Sequence, residues 1–407
     1  MAVCDAYMRP RAASILADAD AVSVGLRGAR RRTDGPLRVL RVMPHLASGG
    51  TERQCLEILE EIAATYDRTA VVVDLALIGD PRLETVPAPD GLTLRPLYAG
   101  TGPRGLWCSS RRLQSIASEY HCVHALLWPA AYVVALAGVG DVATIASLHS
   151  SALPYRNWRR TPDRWVYGAM QRVAFNSEAG RGCLAAAIGA RPERTLVIPN
   201  GKRAYEGPWP SRGGVVCPTR LMEQKRPDLL LAALEEMPTA SRPSTVFIGT
   251  GTDGAAFKRA ARSLAPWVRG DGVVSNAMER MAGAALVASP SDSEGSPNVV
   301  LEAWATRTCV VASRVPGVRE LVRHGVDGWL VDNSPEAWAD ALATLLHDDQ
   351  LRGRLAQAGH ARVQTDFSLA SAAQRWVQLY AEVSGWTDLS RAPGKKKAGT
   401  IVPASAA

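Results

Sequence analysis

The chain has 407 residues, enough for two or three domains. Hydrophobic residues make up 47% and charged residues 21%, a globular balance that excludes a disordered chain. The formal net charge of +8 and a pI near 9.3 suit nucleic acid, an anionic membrane face or a phosphorylated substrate as partner. With no zinc-finger spacing, RNP-like motif or aromatic-interleaved basic helix, nucleic acid is not the expected partner. Cys4, Cys55, Cys108, Cys122, Cys183, Cys217 and Cys309 are scattered and form no Cys-x-x-Cys pair, so they read as buried thiols in a reducing compartment. Asp5, Arg9 and Arg11 leave no apolar core for a secretory signal, and the expected location is cytoplasmic.

Residues 1–36 are rich in Ala and Arg, end near Arg30-Arg31-Arg32, and read as a basic, flexible extension. Strand–helix alternation then begins: a strand at 37–43, a glycine turn, a helix at about 51–64, and strands at 70–75, 123–128, 143–148, 173–175 and 196–198. The uncharged run 125–140 is short for a membrane span and is broken by Pro129; it reads as a buried strand followed by a helix of small residues. The rhythm restarts after Pro199-Asn200-Gly201, with Pro208 and Pro210 marking a hinge. Strands follow at 214–218, 245–248, 284–288, 309–312 and, near an edge, 328–331, with helices at 227–236, 335–346 and 368–383. The tail after about residue 387 holds Lys395-Lys396-Lys397 and ends in small residues. The expected class is α/β: two doubly wound Rossmann-like domains facing a central cleft, with ligands beyond the carboxyl ends of the strands.

Several segments can carry chemistry at those strand ends. In Glu294-Gly295-Ser296-Pro297-Asn298-Val299-Val300-Leu301-Glu302, Ser296 suits an N-cap and Pro297 a first helical position, leaving the amides of Asn298, Val299 and Val300 facing an anion. Glu294 and Glu302 flank that anion site, as carboxylates suited to hydroxyl-rich groups do; a capped surface helix with incidental acids fits the same pattern. Pro218-Thr219-Arg220 through Lys225 supplies a guanidinium and an ammonium for phosphate oxygens, in a chain where Lys is rare. Ser48-Gly49-Gly50-Thr51-Glu52-Arg53 lets backbone approach a ligand but lacks the lysine of a P-loop. His149 follows a strand and is placed for function; His45 is a weaker candidate of the same kind. The other histidines lack metal-ligand spacing, so no metal is expected. Gly249-Thr250-Gly251-Thr252-Asp253-Gly254 is a literal Gly-x-Gly-x-x-Gly with Asp271 downstream, which also fits a dinucleotide enzyme.

Taken together, Ser48 to Arg53, Pro199-Asn200-Gly201, Arg220 with Lys225, Gly249-Thr250-Gly251 and the Glu294–Glu302 spacing resemble the group 1 retaining glycosyltransferases of the GT-B fold, over about residues 37–383. The resemblance implies an acceptor-side domain at 37–199, a donor-binding domain at 200–366, a helix at 367–386 packing back on the first domain, and a tail at 387–407. It implies that Arg220 and Lys225 bind a donor diphosphate, Glu302 the ribose and Glu294 the sugar hydroxyls. Gly295, Ser296, Pro297, Asn298 and Val299 would line the donor, and His149 would lie near its sugar. Gly249 and Gly251 would sit on the nucleotide side, and Gly49 and Gly50 on the phosphate or acceptor side.

The implied donor is a UDP- or GDP-linked sugar with no other cofactor. The implied acceptor is a glycan or lipid-linked hydroxyl, in cell-surface polysaccharide or glycolipid synthesis at the inner membrane face. Thr306-Arg307-Thr308 departs from the family's usual Gly-x-Pro, and Pro218-Thr219-Arg220 from its usual small-Gly-Arg. A dinucleotide-dependent oxidoreductase, a non-catalytic binder and a nucleotide-sugar epimerase on the same fold remain as alternatives.

Overall fold

Leu37–Met43 (β1) is apolar almost throughout, and Leu37, Val39, Leu40, Val42 and Met43 have no exposed surface. A strand covered on both faces by helices reads in this way rather than as an alternation. In the computed structural model the described residues are 35–46, 49–79, 92–97, 102–149, 160–208 and 213–387. The bulk of the basic N-terminal extension, Ser48, Pro210 and the tail from residue 388 lie outside them.

After β1 come α1 (Gly50–Thr65), β2 (Val71–Leu77), β3 (Leu94–Pro96), α2 (Pro103–Ile116), β4 (Cys122–Leu126), α3 (Leu127–Ala137), β5 (Ala143–Leu148), α4 (Arg160–Gly168), β6 (Arg172–Phe175), α5 (Glu178–Leu184) and β7 (Thr195–Val197). The strands form one sheet of order β3-β2-β1-β4-β5-β6-β7, in which β1 pairs in parallel with both β2 and β4. The strand expected at 123–128 stops at Leu126 because the helix begins at Leu127. The uncharged run 125–140 thus divides between the end of β4 and α3, and no described helix is long and apolar enough to cross a membrane.

The second series is β8 (Val215–Pro218), α6 (Pro227–Glu236), β9 (Thr245–Ile248), α7 (Gly254–Ala261), β10 (Val268–Gly272), α8 (Ala277–Ala282), β11 (Leu286–Ser289), α9 (Asn298–Ala305), β12 (Cys309–Ser313), α10 (Pro316–Leu321) and β13 (Trp329–Val331). It ends in α11 (Pro335–His347), α12 (Asp349–Thr365) and α13 (Leu369–Ser384). Its sheet has the order β10-β9-β8-β11-β12-β13 with every neighbour parallel, and β13 lies at the expected edge. Both series are Rossmann-like alternations of strands and helices.

The chain divides into two compact units, residues 1–47, 66–145 and 379–407 in one and residues 48–65 and 146–378 in the other. In the first, the buried Arg41 of β1 donates from Nε to the Tyr380 hydroxyl at 2.9 Å, and His124 Nδ1 of β4 lies 2.8 Å from the same oxygen. A buried guanidinium is tolerated in a strand only with such polar partners. Tyr120 donates to the buried Asp74 at 2.8 Å; burial, then that carboxylate, pushes its phenol up to about 12.

In the second unit, residues of β8 alternate between two cores. Val215 and Cys217 pack with Leu230 and Leu234 of α6 and Trp338 of α11, whereas Val216 packs with Val300 and Trp304 of α9 and Val318 of α10. That period of two is what covering both faces of a sheet requires. The end of α9 replaces the expected glycine turn with hydroxyls. Arg307 takes φ +49°, Thr308 N donates to Ala303 O at 2.8 Å, and Thr306 Oγ1 donates to Glu302 O at 3.0 Å.

Candidate active site

The order β10-β9-β8-β11-β12-β13 reverses direction between β8 and β11. Connections leave these two strands toward opposite edges, so a crevice opens past their carboxyl ends. The loop after β8 carries Arg220 and Lys225, and the loop after β11 carries Glu294. Asp292 N donates to Gln224 O at 2.9 Å, Gln224 Nε2 donates to both the carbonyl and the hydroxyl of Ser293 at 3.0 Å, and Arg226 donates to Asp292 Oδ1 at 3.0 Å. The two loops are therefore one hydrogen-bonded body. Within it Lys225 Nζ lies 2.6 Å from Glu294 Oε1, which also accepts from Ser291 Oγ at 2.6 Å.

Arg220 itself is exposed. A Cβ added to Gly49 would run into its guanidinium and into the Glu52 carboxylate, so the glycine before α1 is the surface on which Arg220 rests. Gly249 and Gly251 support the same loop from beneath. Gly249 has φ +134° and a Cβ there would strike Thr219 O; one at Gly251 would strike Leu221 O. Leu221 N donates to Thr250 O at 3.1 Å and Asp253 N to Leu221 O at 2.9 Å. The Gly-x-Gly-x-x-Gly run thus follows the second strand of its series and packs on protein backbone. Asp271 is held by Arg280 and Arg269: burial alone would raise its carboxyl, but the two arginines outweigh it and hold it below the usual range. Neither feature favours the dinucleotide reading.

The helix bearing Glu302 starts later than its sequence suggests. Pro297, not Ser296, is the N-cap of α9, no side chain caps it, and Val300 N already donates to Pro297 O at 3.1 Å. The cause is the extended backbone at Pro297 (ψ 115°), which turns its carbonyl back onto the first turn. Asn298 and Val299 keep the amides that an incoming anion can use. The Asn298 side chain is occupied: it donates to Gly50 O at 2.9 Å and accepts from Asn200 Nδ2 at 2.8 Å. Gly295 and the Glu294 carbonyl lie against Gly317 of α10, where no Cβ would fit.

Glu302, in the second turn of α9, is buried and lies 3.1 Å from Lys202 Nζ. His149 leaves β5 where expected, with Nε2 3.1 Å from Ser147 Oγ. Ser291, Gln224, Asn200 and Lys202 were not assigned from sequence. Asn200 stood in the Pro-Asn-Gly segment and Lys202 among the few lysines, but neither pattern tells which side chain it will meet.

Residues 212–348 match the family described as "Glycosyl transferases group 1", and residues 48–202 match "Glycosyltransferase Family 4". A D-inositol 3-phosphate glycosyltransferase of Kineococcus radiotolerans is 30% identical over 313 residues, covering 64% of this chain and 71% of that protein. Proteins of the same name from Corynebacterium efficiens (45% identical, 24% of this chain) and Xylanimonas cellulosilytica (36%, 40% of this chain) match over only 23% and 41% of their own length. Among solved structures, Anabaena HepE in complex with UDP has a TM-score of 0.73 at 22% identity, covering 85% of this chain and all of that one. Sucrose-phosphate synthase of Thermosynechococcus elongatus has 0.71 at 20%, covering 86% and 100%. The solved structures share the two-domain, Rossmann-like GT-B fold, and the chain belongs to the group 1 glycosyltransferases.

Proposed function

We propose that the protein moves a sugar, with retention of configuration, from a UDP- or GDP-linked donor to a hydroxyl acceptor. The observation that carries this reading is the Lys225–Glu294 pair at 2.6 Å, held between the loops of β8 and β11. A cation beside a carboxylate at that crevice suits a ligand that is anionic at one end and rich in hydroxyls at the other. Arg220, Lys225 and the free amides of α9 meet the diphosphate, while Glu294 accepts from sugar hydroxyls and Glu302 from the ribose. Gly295, Ser296 and Pro297 line the path between them, and His149 faces the donor sugar from the end of β5.

The bond from the anomeric carbon to the diphosphate oxygen breaks, and negative charge gathers on the leaving group where Arg220 and Lys225 stand. The acceptor oxygen forms its bond on the same face, and its proton passes to a departing phosphate oxygen. Glu294 is already engaged by Lys225 and Ser291, which fits a binding role better than a nucleophilic one. Solved relatives hold UDP and UDP-glucose, which supports a nucleotide-sugar donor for this chain.

For the acceptor, a glycan or lipid-linked hydroxyl at the inner membrane face fits the basic balance of the chain. A second reading, a small phosphorylated polyol, is favoured by the name shared by its curated relatives. A thermal-shift screen of nucleotides and nucleotide sugars, followed by transfer assays with both acceptor classes, tests the proposal, because a ligand that binds the folded state raises its stability. Stabilisation by UDP or GDP with transfer of the intact sugar is expected; no response to any nucleotide sugar would overturn it.

A further inference from the structure

Lys202 is 4% exposed, yet no sequence pattern demands a lysine there. Its main chain is pinned on both sides: its amide donates to Phe367 O at 2.9 Å, its carbonyl accepts from Leu369 N at 3.1 Å, and the preceding Gly201 has no room for a Cβ, which would come within 2.6 Å of Ser368 O. From this fixed point the side chain reaches two carboxylates. Nζ donates to both oxygens of Glu57 on α1 at 2.8 Å and lies 3.1 Å from Glu302 Oε1 on α9. Two of its N–H donors thus meet Glu57, and Glu302 completes the ion cluster.

The cluster holds one ammonium and two carboxylates, so it retains a net negative charge in a buried place. Such a site repels a phosphate and favours neutral hydrogen-bond donors. Glu302 Oε2 has no hydrogen-bond partner among the described residues, which leaves one acceptor oxygen available. Burial by itself would push the Lys202 ammonium down; Glu302 and then Glu57 outweigh it and hold it above the ordinary lysine value. The same Glu57 belongs to the helix whose first residue, Gly50, accepts from Asn298, so α1 and α9 are tied together at two levels.

We propose that Lys202 is a positioning residue of the donor site, fixing Glu302 Oε1 so that Oε2 faces the vicinal hydroxyls of the nucleoside. This rests on the reading of Glu302 as the ribose-binding group, and it adds the residue that makes that group selective. The lysine touches no substrate; it acts through Glu302.

The test compares binding of UDP and GDP with that of their 2′,3′-dideoxy counterparts, in full-length wild type, E302Q, K202M, K202Q and the K202M/E302Q double variant. Wild type is expected to prefer the ribonucleotide, and E302Q to lose about tenfold or more of that preference, the scale of a hydrogen bond to a charged group. K202M is expected to lose it to a similar extent, and the double variant to be no worse than E302Q, since residues acting through one group are not additive. Inorganic pyrophosphate, which has no ribose, should bind all five proteins alike.

If E302Q keeps the full preference, the reading of Glu302 fails. If E302Q loses it while K202M and K202Q keep it, the reading of Glu302 stands and the role of Lys202 is overturned. K202Q keeps a polar side chain of similar reach without the charge, so it carries the comparison should K202M fail to fold.

Discussion

Lys225 and Glu294 meet at 2.6 Å although they are 69 positions apart in sequence, and the two loops that carry them share further hydrogen bonds through Gln224, Arg226, Asp292 and Ser293. The pair is only partly exposed, so the contact is less screened than a surface ion pair. In the proposed reading, a diphosphate arriving there would compete with Glu294 for the same ammonium. On that reading the pair holds Lys225 in position before the donor arrives and hands its charge to the leaving group afterwards.

K225A and R220A are each expected to lower turnover by about 10²–10³, the range for removing one group that stabilises developing negative charge. S291A removes one of two donors to Glu294 and should cost less. Initial rates of transfer at saturating donor check this, and wild-type turnover in both cation variants would reject the assignment.

Gly49 and Gly50 should respond differently to alanine. At Gly49 the added Cβ meets the Arg220 guanidinium and the Glu52 carboxylate, so G49A should displace Arg220 and weaken nucleoside diphosphate binding. At Gly50 the nearest atom is Asn298 Nδ2 at 3.1 Å, a contact that a small shift relieves. Titration calorimetry with UDP and GDP should show the larger loss for G49A; equal affinities in the two variants would show that Gly49 does not set the arginine.

His360 gives a pH dependence with a defined sign. It packs behind α9 with Nδ1 2.9 Å from Trp304 O, and burial, with Arg307 nearby, holds its imidazole below the ordinary value of ~6.5. In the window just below that value the unfolded chain binds more protons than the folded one, so the histidine's contribution is lost as pH falls through ~6.5 toward the lowered value. H360N keeps an amide donor near the Nδ1 position and does not titrate. Urea midpoints at pH 7.5 and 5.5 should fall less with acid in H360N than in wild type, and identical changes would count against the assignment.

The Tyr380 hydroxyl serves both Arg41 and His124 in the unit that does not contain Arg220 and Glu294. Y380F should destabilise by about 1–3 kcal/mol, the scale of removing a buried hydrogen bond to a charged group. Nucleotide affinity should stay at the wild-type level. Thermal unfolding and calorimetry together check this, and a selective loss of affinity at unchanged stability would contradict it.

Much of the sheet architecture was legible because parallel strands covered on both faces are nearly continuous apolar runs; residues 143–148 and 245–248 fall where the sequence placed them. The strands without an apolar run, β3 and β10, are at the edges. β10 reads Val-Arg-Gly-Asp-Gly, with Arg269 and Gly270 exposed, so no apolar run forms. β3 has three residues, two of them Arg and Pro. The start of α9 differs from the expected one because Ser-Pro is a sound capping pattern locally, whereas the extended backbone at Pro297 moves the first turn one residue on.

The sequence by itself determined the alternation of strands and helices, and it singled out Arg220, Lys225, Glu294, Glu302 and the glycines near them as candidates for the proposed site. Only the tertiary structure decided their partners. The jobs of Gly249 and Gly251 depend on which backbone lies against them, and that is the loop of Arg220. Lys202 gains its meaning from Glu57, 145 positions away, and from Glu302 on another helix. Composition and periodicity report what a side chain avoids or seeks, water or apolar cover, and so they fix elements. They carry no information on which distant charge will stand opposite, because that is set by how strands order in a sheet and where their loops end.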